Sequence, residues 1–419
     1  MTHGADTAAG TDRRHRLQEP GQSPEAWRVL RDRGYTITFA AARDTWTDRL
    51  LAGHPGSAFH EIRAERSLRP RTLLGLAGHL RALSRRDWDL VQVQSPIISV
   101  LWRVVATPRA RRRTVYVVHG FHFQPGERGA KALAVRFLEG ALAHRTLALA
   151  TVSAADQAFV RRLPRPLRPR VLADLPGAGV PVEEYRDAAL GGGRPPGLPE
   201  GPYALFVGDL NANKDPLCAV DAVAECRRQG LALDLVVIGE GPLTAGVADL
   251  ARTRPWLHLV DRSDDVPRWM AHAAVLLAPS HREGLPRVVL EALAAGTPVV
   301  SRRNRGSAEL LAGGVGVLLE TGAAGRWADA VHAVLESPPG IEALWARARR
   351  YGVDRFRTAY EGLVAAVETE QAQHGDDPHQ AHRLRRVHRG QGQRGQSHDR
   401  TDHDQRNDVA RAPAVQEER

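Results

Sequence analysis

Short apolar runs alternate along this chain with longer stretches in which apolar residues recur at helical spacing. The runs predict buried strands at residues 35–40, 90–93, 115–118, 147–152, 204–207, 233–238, 257–259, 274–277 and 315–318. The helical spacing predicts helices at 26–33, 73–83, 131–144, 154–162, 217–229, 243–252 and 266–271. Strands that alternate with helices in this way predict parallel sheets with helices on both faces.

A segment rich in glycine and proline, residues 191–199, divides this pattern into two series. We therefore predict two Rossmann-like domains at residues 25–186 and 201–340, joined by a linker at 187–200. A ligand cleft is expected between them, at the carboxyl ends of the strands. A C-terminal helical region follows at 341–370, broken near Gly352.

The two ends of the chain lack the alternating pattern. No apolar run precedes Ala26, although the first strand of a doubly wound domain lies at the centre of its sheet. Either that strand is missing, or the ends of the reading frame are misassigned and residues 1–24 are unstructured. Residues 371–419 contain almost no apolar side chains, which predicts a disordered tail.

The most informative segment, residues 282–300, reads REGLPRVVLEALAAGTPVV. Glu283 lies in a polar loop, and Glu291 lies one turn into an apolar helix that Pro286 opens and Gly296 ends. Free N–H groups at a helix start bind phosphate, so carboxylates at these two depths are placed to contact a sugar and a ribose. The alternative is that both glutamates are merely favourable to the helix dipole.

This segment resembles the E-x7-E signature of the retaining GT-B glycosyltransferases of family 4, and its opening is similar to the bacterial capsule and exopolysaccharide branch. The resemblance implies that Glu283 acts at the donor sugar and its phosphate, beside Gly284, Leu285 and Pro286. It also implies that Glu291 binds the nucleotide ribose. The implied α/β fold is GT-B, two Rossmann-like domains facing a central cleft, with a C-terminal helix and disordered termini.

Two further loops resemble those of the same branch. Residues 117–123 read VVHGFHF after a predicted strand, and the resemblance places His119 at the catalytic cleft; the alternative is a structural histidine. Residues 205–216 read LFVGDLNANKDP and resemble the first donor-domain loop. There Gly208 would let the backbone approach the donor, and Lys214 would neutralise its diphosphate.

One position departs from the family pattern. Many members carry arginine directly after the glycine of the donor loop, where this chain has Asp209. A second cation for the diphosphate would then come from elsewhere, and Arg305 in the segment NRGSAE is the candidate. Equally, Ser307 in this segment could be a helix N-cap with no ligand.

The net charge of +10 suggests an anionic partner, although a high arginine content can also reflect genome composition. Aromatic residues make up only 5% of the chain, which argues against a nucleic-acid partner. An anionic inner membrane face would suit Arg103 and the cluster at residues 109–113.

Several functional classes are not expected. The sequence contains no uninterrupted apolar run of membrane-spanning length and no secretory signal pattern at its start. Its only two cysteines, Cys218 and Cys226, fit a reducing cytosol and exclude a cysteine-built metal site. Asp87 and Asp89 form a D-x-D pattern before a strand instead of after it, so no metal is predicted.

The expected activity is a retaining, hexosyltransferase-type transfer of sugar from a nucleoside diphosphate sugar to a hydroxyl acceptor, with His119 and Glu283 as catalytic residues and no cofactor. The acceptor would be a glycan or a polyprenyl-diphosphate-linked sugar in polysaccharide biosynthesis, reached from the cytoplasm at the inner membrane face. Two alternatives remain: a GT-B-fold nucleotide-sugar epimerase, and a truncated, inactive nucleotide-sugar-binding protein.

Overall fold

Two parallel sheets, each with helices on both faces, form the described part of the chain. The computed structural model describes residues 14–18, 24–43, 45–62, 69–124, 126–191, 193–194, 197–261 and 263–374. Both predicted Rossmann-like domains are present in it. Among these residues, no helix is both long enough and apolar enough to cross a membrane.

The N-terminal sheet has seven strands in the order β3-β2-β1-β4-β5-β6-β7, all parallel. The strands are β1 (Arg14–Gln18), β2 (Tyr35–Ala41), β3 (Ala58–Glu61), β4 (Leu90–Val93), β5 (Thr114–Val118), β6 (Ala148–Thr151) and β7 (Val171–Asp174). The helices between them are α1 (Pro24–Asp32), α2 (Thr45–Ala52), α3 (Pro70–Leu83), α4 (Pro96–Val105), α5 (Pro108–Arg111), α6 (Ala130–Leu142) and α7 (Ala154–Arg162). The order reverses between β1 and β4, and loops that follow neighbouring strands there share one edge of the sheet.

The expectation that the first strand is missing was wrong. Residues Arg14–Gln18 form β1 at the centre of the N-terminal sheet and pair in parallel with β2 on one side and β4 on the other. Central parallel strands usually read as apolar runs, but this segment, RHRLQ, contains a single leucine. Backbone pairing with two neighbouring strands therefore defines β1, and hydropathy gave no signal for it.

The C-terminal sheet has six parallel strands in the order β10-β9-β8-β11-β12-β13. They are β8 (Tyr203–Val207), β9 (Asp234–Ile238), β10 (Leu257–Val260), β11 (Val275–Ala278), β12 (Val299–Arg302) and β13 (Val317–Leu319). Its helices are α8 (Val182–Gly191), α9 (Pro216–Arg228), α10 (Thr244–Thr253), α11 (Val266–Ala271), α12 (Arg287–Ala294), α13 (Arg305–Leu310), α14 (Ala324–Glu336) and α15 (Ile341–Arg349). The strand order reverses between β8 and β11, which predicts ligand binding at the ends of those two strands.

The chain crosses between the domains twice, at neighbouring places. The Val180 N–H donates to the Tyr351 carbonyl (3.1 Å), and the Val353 N–H donates to the Val180 carbonyl (3.1 Å). After the second crossing, helix α16 (Val353–Gln373) packs against the N-terminal domain through buried side chains such as Phe356 and Leu363. The two domains are therefore joined at one edge, with the last described helix attached to the first domain.

The predicted boundaries need one correction. Helix α8 begins at Val182, inside the range assigned to the N-terminal domain, and its buried Val182 and Tyr185 belong to the core of the C-terminal domain. The crossing therefore precedes α8, and the glycine- and proline-rich segment at 191–199 follows it. The predicted disordered tail lies outside the described residues from position 375 onward, as do residues 1–13 and 19–23 of the predicted unstructured start.

Candidate active site

Two of the predicted donor residues form an ion pair in the cleft. The Lys214 Nζ lies 2.7 Å from the Glu283 Oε1, and their side chains are 25% and 16% exposed. Lys214 follows β8 and Glu283 follows β11, the two strands at which the order of the sheet reverses. The structure thus brings these residues together at the position where doubly wound domains bind ligands.

The backbone of the donor loop is fixed by an asparagine. The Asn211 Oδ1 accepts hydrogen bonds from the N–H groups of Asn213 and Lys214, both at 3.0 Å, so the side chain imitates a backbone turn. Asn213 in turn donates from its amide to the Arg282 carbonyl (3.1 Å), directly before Glu283. The loops that carry the lysine and the glutamate are therefore held to each other by this side-chain-to-backbone hydrogen bond as well as by the ion pair.

Lys214 also stands out in the composition. The chain has 58 basic residues, and only Lys131 and Lys214 are lysines, so the other 56 are arginines. A compact ammonium at this position, in a chain in which nearly every other basic residue is arginine, is consistent with a specific requirement there.

Glycines bring the two domains into direct backbone contact at the cleft. A Cβ atom placed on Gly284 would lie 1.5 Å from the His119 carbonyl oxygen, and one on Gly120 would lie 2.7 Å from the Gly284 Cα. Only glycine fits at this approach, and Gly120 also has a φ of +131° that other residues rarely adopt. The predicted His119 loop and the predicted Glu283 loop are thus in contact, as two halves of one site.

Leu285 and Pro286 contribute to the same contact region. Leu285 packs against apolar residues of both domains, and Pro286 is the N-cap of α12 rather than its first residue as predicted. Glu291 is buried in this helix, and its Oε1 accepts a hydrogen bond from the Arg287 Nε (2.7 Å). Gly208 directly follows β8 and has a φ of +152°.

His119 is exposed, and its side chain contacts a glutamine. Its Nε2 lies 2.9 Å from the Oε1 of Gln94, which follows β4 and is buried. With the amide oriented in this way, Nε2 carries the proton and Nδ1 is free to accept one. Surrounding protein atoms lower the pKa of His119 by desolvation. Because its side chain remains open to the cleft, the lowering is smaller than complete enclosure would cause.

We predict that the pKa of His119 lies below 6.5, so that its imidazole is neutral at pH 7. The acid limb of the pH profile of kcat/KM should therefore fall below pH 6.5 if neutral His119 is required. Gln94→Glu should shift this limb to higher pH, because a carboxylate beside the ring stabilises its protonated form. The His119 resonance, assigned with His119→Gln, can be followed by NMR across this range. A wild-type titration at or above 6.5 would contradict the prediction.

Arg305, the candidate second cation for the diphosphate, is buried and bonded to groups of the protein. Its side chain is 3% exposed and forms an ion pair with Asp156 of α7, whose side chain is 1% exposed. Its second terminal nitrogen donates to the Phe121 carbonyl (3.3 Å) and to the Phe123 carbonyl, in the loop that carries His119. In this arrangement both terminal nitrogens are engaged, so the expectation that Arg305 supplies a phosphate ligand is not supported. Arg305 instead connects the domains and holds the His119 loop.

We expect Arg305→Met to lower the free energy of unfolding by about 3 kcal/mol, because it leaves Asp156 buried without its partner. Adding Asp156→Asn should recover part of this loss. Urea denaturation of both single variants and the double variant measures the coupling. Arg303→Met is a matched control, since Arg303 pairs with the exposed Glu320 and should contribute less than about 1 kcal/mol. An Arg305→Met variant as stable as this control would show that the buried pair does not stabilise the closed domains.

Other predicted features have structural roles in the described residues. Asn304, not Ser307, is the N-cap of α13, and its Oδ1 accepts from the Ser307 N–H (3.0 Å). Asp87 of the D-x-D pattern pairs with Arg109 and Arg113. Within the described ranges, no group of three or more His, Cys, Asp or Glu side chains could hold a metal ion.

Two contributors to the site were not predicted. Gln94 directly follows the predicted strand at 90–93, and Asp156 lies within the predicted helix at 154–162, but neither was expected to contribute to the site. An acidic residue in the first turn of a helix is a common feature that complements the dipole, so the sequence gave no sign of its distant partner Arg305.

The comparisons with known proteins agree with this architecture. Residues 201–337 match the family model described as Glycosyl transferases group 1. EpsD of Bacillus subtilis (strain 168) is 27% identical over 275 residues, which are 62% of this chain and 70% of EpsD. A UDP-Gal:alpha-D-GlcNAc-diphosphoundecaprenol alpha-1,3-galactosyltransferase of Escherichia coli is 26% identical over 231 residues, 52% of this chain and 59% of that protein.

Among solved structures, Anabaena Alr3699/HepE in complex with UDP-glucose matches with a TM-score of 0.61 at 18% identity, covering 84% of this chain and 99% of that one. The fold is therefore GT-B, as predicted. The C-terminal domain therefore matches the group 1 glycosyltransferase model, and more than half of the chain is similar to proteins named as glycosyltransferases.

Proposed function

We propose that the chain transfers a hexose, with retention of anomeric configuration, from a nucleoside diphosphate sugar to a hydroxyl of a lipid-linked glycan in polysaccharide biosynthesis. We further propose that it belongs to glycosyltransferase family 4, near the capsule and exopolysaccharide branch. The observation that carries the proposal is the Lys214–Glu283 pair, which lies where the strand order reverses and contacts the His119 loop through Gly284.

The ion pair suggests how the donor is accepted. A diphosphate would compete with Glu283 for the Lys214 ammonium, because phosphate oxygens are strong acceptors of charge-assisted hydrogen bonds. Glu283, released from its partner, would then be free to contact the sugar hydroxyls. Lys214 and the N–H groups at the start of α12 would stabilise the charge that develops on the leaving diphosphate.

Neutral His119 suits a role at the donor sugar or an acceptor hydroxyl. A neutral imidazole can donate from one ring nitrogen and accept at the other, whereas a protonated one can only donate. Retention without a covalent nucleophile would follow from displacement on one face, with the leaving phosphate taking the acceptor proton. No resident cofactor or metal is required by this scheme.

The names of the similar proteins support the choice of substrates. Alr3699/HepE was crystallised with UDP-glucose, and the Escherichia coli relative is named for a UDP-galactose donor and a diphosphoundecaprenol-linked acceptor. By this similarity we propose a nucleotide sugar donor and a polyprenyl-diphosphate-linked acceptor, used at the cytoplasmic face of the membrane. The inactive-protein alternative loses its main premise, since β1 is present.

A thermal-shift panel of nucleoside diphosphates and their sugars tests donor binding. We expect stabilisation by one base series, and we expect Lys214→Ala to weaken that binding at least about tenfold, the loss typical of a hydrogen bond to a charged group. Lys131→Ala, the other lysine of the chain, is the matched control and should leave nucleotide binding unchanged. NMR of the product made from the selected donor then gives the anomeric configuration. No binding of any nucleoside diphosphate, or an inverted product, would overturn the proposal.

A further inference from the structure

Helix α6 exposes an apolar surface. Phe137 is 78% exposed, Leu133 is 50% exposed and Leu138 is 40% exposed, and the first two lie four residues apart on one face of the helix. Single exposed apolar residues are ordinary, but a phenyl ring this open beside two leucines forms a cluster. Val104 of the neighbouring α4, 50% exposed, also points away from the apolar core that both helices cover.

The same layer of helices is almost free of negative charge. Helices α3, α4, α5 and α6, with the following turn Ala143–Arg145, contain eight lysines and arginines and a single carboxylate, Glu139. Glu139 is buried and pairs with Arg103 at 2.7 Å, so neither contributes charge to the surface. The seven other cations of these elements are Arg71, Arg81, Arg109, Arg111, Lys131, Arg136 and Arg145.

Three of these arginines converge at the C-terminal end of α4. Arg81 donates to the Val105 carbonyl (2.8 Å), and Arg145 donates to the Arg103 carbonyl (3.4 Å). Burial, followed by the positive charges of Arg145 and Arg81, lowers the pKa of Arg111. None of the three forms an ion pair with a carboxylate of the described residues. Repulsion among the three guanidinium groups favours the binding of an anion from outside the protein.

The structure also corrects the prediction of which arginines contact lipid. Arg103 is fully buried, and Arg113 is buried and donates to the Trp88 carbonyl as well as to Asp87. Arg109 pairs with the same Asp87. Neutralised or enclosed side chains of this kind are poor ligands for a surface, whereas Arg81 and Arg145 donate to the carbonyls of the two residues that flank exposed Val104.

We propose that the outer face of α3, α4, α5 and α6 docks on an anionic lipid bilayer. Phe137 and Leu133 would enter the interface between headgroups and acyl chains, and the arginine cluster would contact the phosphates of the headgroups. Exposed leucine and phenylalanine side chains without hydrogen-bonding groups fit acyl chains better than they fit a nucleic acid.

The position of α6 links this surface to the cleft. The loop that begins at His119 connects β5 to α6. Because only this loop separates His119 from α6 in the sequence, a membrane bound to α6 would lie near the proposed acceptor side of the site. The functional link between this surface and the site rests on the proposed lipid-linked acceptor, but vesicle binding itself does not depend on catalysis. The two proposals can therefore fail separately.

Flotation with vesicles tests the surface on the full-length protein. Wild type should float with phosphatidylcholine vesicles that contain phosphatidylglycerol, should remain unbound with phosphatidylcholine alone, and should be released by high salt. Phe137→Gln with Leu133→Gln should lower vesicle binding at least about tenfold, given the free energy of burying such side chains. Arg111→Gln with Arg145→Gln should lower it by about tenfold or more, given the contribution of each basic residue.

A matched control is available on the other domain. Leu190 of α8 is 64% exposed, and Leu190→Gln should float like wild type. Nucleotide-induced thermal shifts, measured on the same samples, should be unchanged in every variant and so exclude misfolding. Equal binding to neutral vesicles, unchanged flotation of both double variants, or binding to nucleic acid in preference to anionic vesicles would overturn the proposal.

Discussion

Replacing Glu283 by glutamine should reduce sugar transfer at least about 100-fold, the loss typical when one electrostatic contact to the reacting groups is removed. The glutamine keeps the shape of the side chain but cannot form the 2.7 Å ion pair with Lys214. Nucleotide binding should persist or increase, because the ammonium no longer has an internal competitor for the diphosphate. Initial rates with the donor selected by thermal shift, together with the dissociation constant of its nucleoside diphosphate, measure the two effects separately.

The control for this variant is Glu320→Gln. Glu320 is an exposed glutamate of the same domain that pairs with Arg303, so the substitution makes the same change in net charge outside the cleft. It should leave both transfer and nucleotide binding unchanged. Retained turnover in Glu283→Gln would remove Glu283 from the mechanism, and a parallel loss of nucleotide binding would assign it to donor binding alone.

The second large effect is expected from Gly284→Ala. The added methyl group would lie 1.5 Å from the His119 carbonyl oxygen, so the two loops must separate. Gly284 does not have a positive φ, and the backbone itself tolerates alanine. The obstacle is therefore the contact between domains. A displacement of about 1 Å in an active site can cost 100-fold in rate, and we expect a loss of at least that size in kcat.

Small-angle scattering and thermal melting complete this test. The variant should show a larger radius of gyration and a nearly unchanged fold within each domain. Gly246→Ala is the matched control, because a Cβ at Gly246 meets no atom within 4 Å and the residue lies in α10. Wild-type activity in Gly284→Ala would mean that turnover occurs without the backbone contact between Gly284 and His119.

The C-terminal domain could be predicted closely from the sequence. Its apolar runs lie within a residue or two of β8, β9 and β11, because buried parallel strands are apolar on both faces. The segment from Glu283 to Gly296 also carries its own start and stop signals for α12. Local chemistry determines these elements, so local patterns are sufficient to find them.

Elements defined by distant partners could not be predicted in this way. β1 is recognisable only by its pairing with β2 and β4, and β7 was missed for a related reason, since its residues are only partly buried. The pairing of Arg305 with Asp156 joins residues 149 positions apart, and neither has a local sequence context that indicates the other. For Arg103 and Arg113, the sequence gave the charge but not the burial that removes it from the surface.

The adjacent crossings of the chain have a consequence for motion. Because Val180 is hydrogen-bonded to both Tyr351 and Val353, the two connecting segments must move together and act as one pivot. Helix α16, attached to the N-terminal domain beyond this pivot, then turns with that domain as a rigid body. Rotation about a single pivot leaves few degrees of freedom to be ordered when a ligand closes the cleft, so little conformational entropy is lost on closure.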